Sequence, residues 1–247
     1  MIFMILDILK NSLDYTLKDK IAFIKLSLLS LFSFLIVPFI MIEGYCYRII
    51  KIQLASFINA NDPLPSYSNI KELLVDGLKI IFVNFAYSIP IIIAIFLGYN
   101  HIINITDSGL TINVSSGALV IAIIFLIGFL TFLFSKVAIV HMIYKKSIYA
   151  AFKINELKSL IEDIKAFNYF KFFIGYMILV LGILIILFLV IAFIGSIFQF
   201  NYVSVNLYFI TLGLDLTILL LIYITVAYPL IRIFESRAIA SIYNMRE

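Results

Sequence analysis

"FFIGYMILVLGILIILFLVIAFI", residues 172–194, runs for 23 positions without a charge, a side-chain amide or a proline. At 1.5 Å of rise per residue a helix of that length covers the ~30 Å hydrocarbon layer of a bilayer. A helix is also the form that satisfies its own backbone hydrogen bonds where lipid offers none. The rest of the chain agrees. Of 247 residues, 64% are hydrophobic and 13% charged, with a mean hydropathy of +1.15, against about 45–50% and about 25% in a soluble domain. A chain of this length cannot hide so much apolar surface in water. The sequence therefore reads as an all-α, polytopic integral membrane helical bundle in a single membrane domain, with amphipathic helices on its cytoplasmic side.

Three further spans follow from the same rule, at about 80–98, 118–140 and 207–230. They contain few polar positions: Asn84, Ser88 and Pro90 in the first, Lys136 in the second, Asp215 in the last. Pro90 is expected to kink its helix without ending it, since neighbours in a membrane can satisfy the freed carbonyl. Segment 21–57 holds Lys25, Pro38 and Glu43, and reads either as one crossing or as a hairpin that turns near Pro38.

Lysine and arginine mark the cytoplasmic side. Residues 1–25 carry four, 43–79 four, 141–171 six and the tail after Leu230 three, whereas 98–117 and 195–206 carry none. The last four spans alternate accordingly, with both bare loops outside. A hairpin at 21–57 keeps both termini cytoplasmic, while a single crossing breaks the alternation. The net charge of +4 thus belongs to loop asymmetry and points to no nucleic acid.

Polar residues recur every three or four positions in 1–20 (Asp7, Lys10, Asn11, Asp14, Lys18), with Ile2, Ile5, Leu6, Leu9, Leu13 and Leu17 opposite; this is the pattern of a helix lying on the membrane. Residues 68–79 and 154–165 follow it too, and 231–247 reads as a cytoplasmic helix. "NDPLPSYSNIKELLVDGLK" (61–79) is a cytoplasmic elbow: its prolines bar helix before them, and Ser68 or Asn69 caps the helix beyond. Outside, "NHIINITDSGLTINVSSG" (100–117) alternates about Asp107, Ser108 and Gly109 as a small hairpin does. Asn104 and Asn113 head two glycosylation triplets there.

Three stretches, "GYCYRIIK" (44–51), "DPLPSYSNIKELLVDGLK" (62–79) and "AYPLIRIFESRAIASIYN" (227–244), resemble the domain-of-unknown-function family 4013, whose members are prokaryotic, largely archaeal, polytopic membrane proteins. Tyr67 departs from the pattern, standing where the family's aromatic is expected to be Trp. The resemblance implies a fold and a membrane location, and it implies no reaction.

Enzyme signatures are missing: there is no H-E-x-x-H, G-x-S-x-G or Walker loop. The lone Cys46 and two histidines fit neither an intrachain disulfide nor a Cys/His metal site. The expectation is a non-enzymatic protein with no catalytic residue, cofactor or metal. Its partner is the lipid bilayer, and its proposed role that of a scaffold or accessory protein binding anionic headgroups through Lys145, Lys146, Lys153, Lys158 and Lys165. The alternative is a small-solute transporter or channel whose path is lined by Asp215, Asn84 and Ser88. Asp215, ~12 Å along its helix from Leu207, would then lie below the outer surface. Lys136 is expected to extend its stem to the headgroups, His141 to be interfacial, and Glu43 to pair with Arg232 or Arg237.

Overall fold

The computed structural model describes residues 2–56, 62–106, 109–112, 114–198, 204–207 and 210–246, with side chains described outside 2–4, 102–116 and 198–215. It has four helices long and apolar enough to cross a membrane among these residues: Ile70–His101, Gly117–Lys145, Ala166–Ile197 and Leu216–Tyr243. The chain forms two compact units, one of Met1–Leu78 with Ile161–Glu247 and one of Lys79–Leu160.

The first unit is organised around α9 (Tyr228–Tyr243), which packs against α1 (Ile2–Thr16), α2 (Lys20–Leu31), α3 (Ile36–Ala55) and α7 (Ala166–Phe198). Every residue from Ile233 to Tyr243 is buried. Small residues on α9 (Ser236, Ala238, Ala240, Ser241) let these neighbours approach, and the serine hydroxyls are satisfied four residues back, at Arg232 (2.7 Å) and Arg237 (2.9 Å). From α1 the stripe Ile5, Ile8, Leu9, Ser12, Tyr15 and Thr16 is buried, at helical spacing, while Leu6 and Leu17 are exposed. Ile5 and Leu9 of the apolar face expected to lie on lipid thus pack on protein.

Segment 21–57 is two helices. Asp19 caps α2, its carboxylate accepting from the amides of Ile21 (2.9 Å) and Ala22 (3.0 Å). With 12 residues α2 is ~18 Å long, short of the ~30 Å layer. The chain bends at Phe32–Leu35 and returns as α3, so that Ala22 and Leu26 join Ile42, Tyr45 and Ile49 in one core cluster. The bend is not at Pro38. That proline sits in the first turn of α3, where its missing N–H has no intrahelical partner to lose.

The last span also differs from its expected bounds. β3 (Ser204–Leu207) and β4 (Ile210–Gly213) form an antiparallel pair, so α8 (Leu214–Ile222) begins seven residues after Leu207. Asp215 therefore stands in the first turn of α8, where a helix dipole favours negative charge, and not ~12 Å into a helix. A π-helical turn, Tyr223–Ala227, joins α8 to α9, and Ser30 of α2 donates to the Ile224 carbonyl in it (2.5 Å).

In the second unit α4 (Ile70–Ile102), unbroken at Pro90, leads to the expected hairpin, β1 (Ile103–Thr106) with β2 (Gly109–Ile112). α5 (Val114–Lys145) then runs back. It closes on Lys146 in the left-handed region (φ 54°), with the Ser147 N–H reaching the Met142 carbonyl (3.1 Å) and the Lys146 N–H that of Ile143 (3.3 Å), the Schellman arrangement that usually uses glycine. A 3-10 turn (Ile148–Phe152) and α6 (Ile154–Asp163) follow. Tyr87 fixes that turn, donating to the Ala151 carbonyl (2.7 Å) and stacking on Phe152.

His141 is buried and bonded to Glu156 through Nε2 at 3.1 Å, so it is not the interfacial residue expected. Its partner lies 15 positions on, beyond the local window in which a partner is visible in sequence. Lys136 is likewise buried, its Nζ 4.8 Å from the centre of the Phe132 ring, and not extended to headgroups; the ring face supplies the attraction. Lys153, and after it His141, hold the Glu156 carboxyl below its ordinary value of 4.5. A lowered folded-state value means that this tether stabilises the fold above about pH 4.5 and is lost as the pH falls through the folded value. The protection of the α6 amides, measured against their intrinsic exchange rates, should therefore fall in acid below that point, and Glu156→Gln should remove that part of the pH dependence.

Candidate functional site

Pro63 and Pro65 keep Asp62–Asn69 out of helix, leaving a run of carbonyls that no ladder satisfies. Side chains supply the donors. Arg48 of α3 donates from Nη1 to the carbonyls of Ser66 (2.7 Å) and Ser68 (2.6 Å) and from Nη2 to that of Asn69 (3.1 Å). Tyr15 donates to Pro63 (3.2 Å) and Lys18 to Asp62 (3.0 Å). The Tyr67 ring lies flat on Tyr45, centroids 4.5 Å apart, while its hydroxyl reaches the Ala22 carbonyl at 3.2 Å. Burial pushes the Tyr67 hydroxyl up, and pushes that of Tyr15 to about 12 against the opposing pull of Arg237.

Asn69, at φ 56°, turns the chain into α4. There α3 and α4 touch backbone to backbone at Gly44 and Gly77: a Cβ on Gly44 would lie 2.0 Å from the Leu73 carbonyl oxygen, and one on Gly77 2.0 Å from that of Ile40.

Beneath the elbow lie buried charges. Arg232 binds Glu43 through Nη2 and Glu235 through Nη1 (2.5 Å), both carboxylates being 5% exposed. The expected partner of Glu43 is thus Arg232. Arg237, fully buried, instead reaches Asp62 at 3.3 Å and stacks its guanidinium 4.4 Å from the centre of the Tyr15 ring. Between α3 and the elbow a cavity of about 480 Å³ opens, lined by Arg48, Lys51, Ser66, Ser68, Asn69 and Glu72. Two of the stretches that carry the family resemblance, 44–51 and 62–79, line it, and the third, 227–244, joins them through Arg237 on Asp62. Sequence reading missed the Arg48 clamp and the Arg237–Asp62 pair. A signal existed for the first, a basic residue near a run of prolines, and none for the second, whose members stand 175 residues apart.

The sequence-predicted residues fall elsewhere. Lys145, Lys146, Lys153 and Lys158 are exposed in the second unit, with Lys153 paired to Glu156 at 2.7 Å. Lys165, exposed and left-handed (φ 66°), belongs to the first. Ser88 donates to the Phe85 carbonyl of its own helix (2.7 Å), and Asn84 is half-buried four positions before it. The side chain of Asp215 lies outside the described residues, as do those of Asn104 and Asn113. Among the described residues no group of three or more His, Cys, Asp or Glu could hold a metal ion.

The sequence model of the family described as "Protein of unknown function (DUF4013)" matches residues 30–200. No curated protein and no solved structure matches the chain.

Proposed function

The chain belongs to the DUF4013 family, and from that premise we propose that it is a non-enzymatic scaffold or accessory protein of the membrane whose basic cytoplasmic face binds anionic lipid headgroups. One observation carries the reading. In residues 144–158 the exposed lysines 145, 146, 153 and 158 are interleaved with exposed Tyr144, Ile148, Tyr149, Phe152 and Ile154, and Tyr149 is 83% exposed. Exposed apolar side chains beside exposed cations fit the boundary between headgroups and acyl chains, where each lysine contributes about 1 kcal/mol. Both termini are cytoplasmic in this reading, and a tag after residue 246 should be reachable from the cytoplasm alone.

The left-handed lysines supply the test. Glycine suits both positions better than lysine does, by about 1 kcal/mol each, so Lys146→Gly with Lys165→Gly should raise the thermal stability of the full chain in neutral nanodiscs. The same variant should lose part of the stability gained when anionic lipid replaces neutral lipid, about 1 kcal/mol for each lysine removed. An undiminished gain would end the proposal. The transporter reading has less support: Asp215 stands at a helix start and the Ser88 hydroxyl is committed to its own helix.

A further inference from the structure

We propose that the cavity between α3 and the elbow binds a phosphate group, carried by a lipid headgroup or free in solution; it shares no residue with the 144–158 surface. The argument starts with charge. Arg48 and Lys51 stand three residues apart, on one face of α3, and both line the cavity. Among the described residues neither forms an ion pair: the guanidinium meets three carbonyls, which orient it without neutralising it. The adjoining residues 57–61, Phe-Ile-Asn-Ala-Asn, contain no acid. Those carbonyls use three of the five guanidinium N–H groups, so two stay uncommitted.

Neutral donors complete the set. Ser66 and Ser68 share one hydrogen bond at 2.7 Å, which leaves one of their two hydroxyl hydrogens available. The first amides of α4 have no helical acceptor, because the earliest helical bond there is Leu73 N–H to the Asn69 carbonyl (3.0 Å). A tetrahedral oxyanion takes several donors at once, and Arg with Lys is the pairing that phosphate favours. The volume of about 480 Å³ exceeds what one phosphate fills, and Ile52, Ala55 and Pro65 line the remainder, so the pocket suits a phosphate bearing an organic group. Glu72 is the one carboxylate on the wall. It opposes an anion, and that makes the charge pattern testable in both directions.

The experiment uses the full chain in a phosphate-free maltoside detergent, with thermal stability titrated against two dissolved probes, inorganic phosphate and dihexanoyl phosphatidic acid. Saturable stabilisation by at least one of them is expected. Lys51→Gln, at an exposed side chain with no partner among the described residues, should leave the unliganded stability unchanged and weaken that probe about tenfold. Glu72→Gln should tighten it several-fold. Lys146→Gly with Lys165→Gly should leave the inorganic phosphate titration and the Lys51-dependent part of the lipid titration unchanged, so the two proposals fail separately. Saturation by the lipid at a concentration at least tenfold lower than that of inorganic phosphate assigns a headgroup; comparable saturation assigns free phosphate. Absence of saturable stabilisation by either probe, or Lys51→Gln and Glu72→Gln shifting the affinity in the same direction, would overturn the site.

Discussion

Alanine at Gly44 or Gly77 should drive α3 and α4 apart and cost the first unit more than ~3 kcal/mol, beyond the usual range for an added methylene in a packed core. The reason is what the new methyl would meet. At Gly44 it would stand 2.0 Å from a carbonyl oxygen of α4; at Gly77 it would stand 2.0 Å from one of α3 and 2.9 Å from the Gly44 amide nitrogen. Backbone cannot swing aside as a side chain does, so one helix must shift. That shift also disturbs Arg48, whose three acceptors lie just before α4. Gly182 in α7 is the control: nothing lies within 4 Å of its would-be Cβ, so alanine there should be neutral or gain up to ~1 kcal/mol of helix propensity. Thermal unfolding of the three single variants in detergent measures both effects. Equal midpoints for Gly44→Ala and Gly182→Ala would contradict the crossing.

The second large effect belongs to Arg232. Its replacement by methionine removes the one cation between two carboxylates that are each 5% exposed, and breaking a buried pair in this way costs about 3–5 kcal/mol. Lysine should rescue little, because an ammonium lacks the planar fork that reaches Glu43 and Glu235 together. Combining Arg232→Met with Glu43→Gln and Glu235→Gln should recover much of the loss, since the uncompensated charge has gone. If the triple variant were no more stable than Arg232→Met alone, lost packing and not charge would be the cause.

How much of this was legible in the sequence follows from which force acts locally. The spans were legible because lipid admits few alternatives to a long apolar helix; residues 172–194 fall wholly within α7. The start of the last span misled because a strand and a membrane helix can both be apolar: "LYFITLG" (207–213) carries no charge to separate them. The bend at Phe32–Leu35 was displaced toward Pro38 because proline is a strong breaker inside a helix and a neutral resident of its first turn. Glu43 could be assigned a partner from sequence, since a charge among apolar residues requires one. Asp62 could not, as it sits in a polar stretch where a charge needs no protein partner. The cavity was invisible for a similar reason. Arg48 and Lys51 read as ordinary loop-side cations until the elbow folds over them.

The architecture of the first unit has a consequence for its synthesis. Glu43 and Asp62 leave the ribosome 189 and 175 residues before Arg232 and Arg237, an interval of about 10–40 s at ordinary elongation rates. Through that interval the nascent chain holds its early acids without counter-ions, and the groove later filled by α9 stays vacant. The first unit is therefore completed only once α9 has been made, and a polypeptide stopped short of Tyr228 leaves Glu43 and Asp62 without those partners.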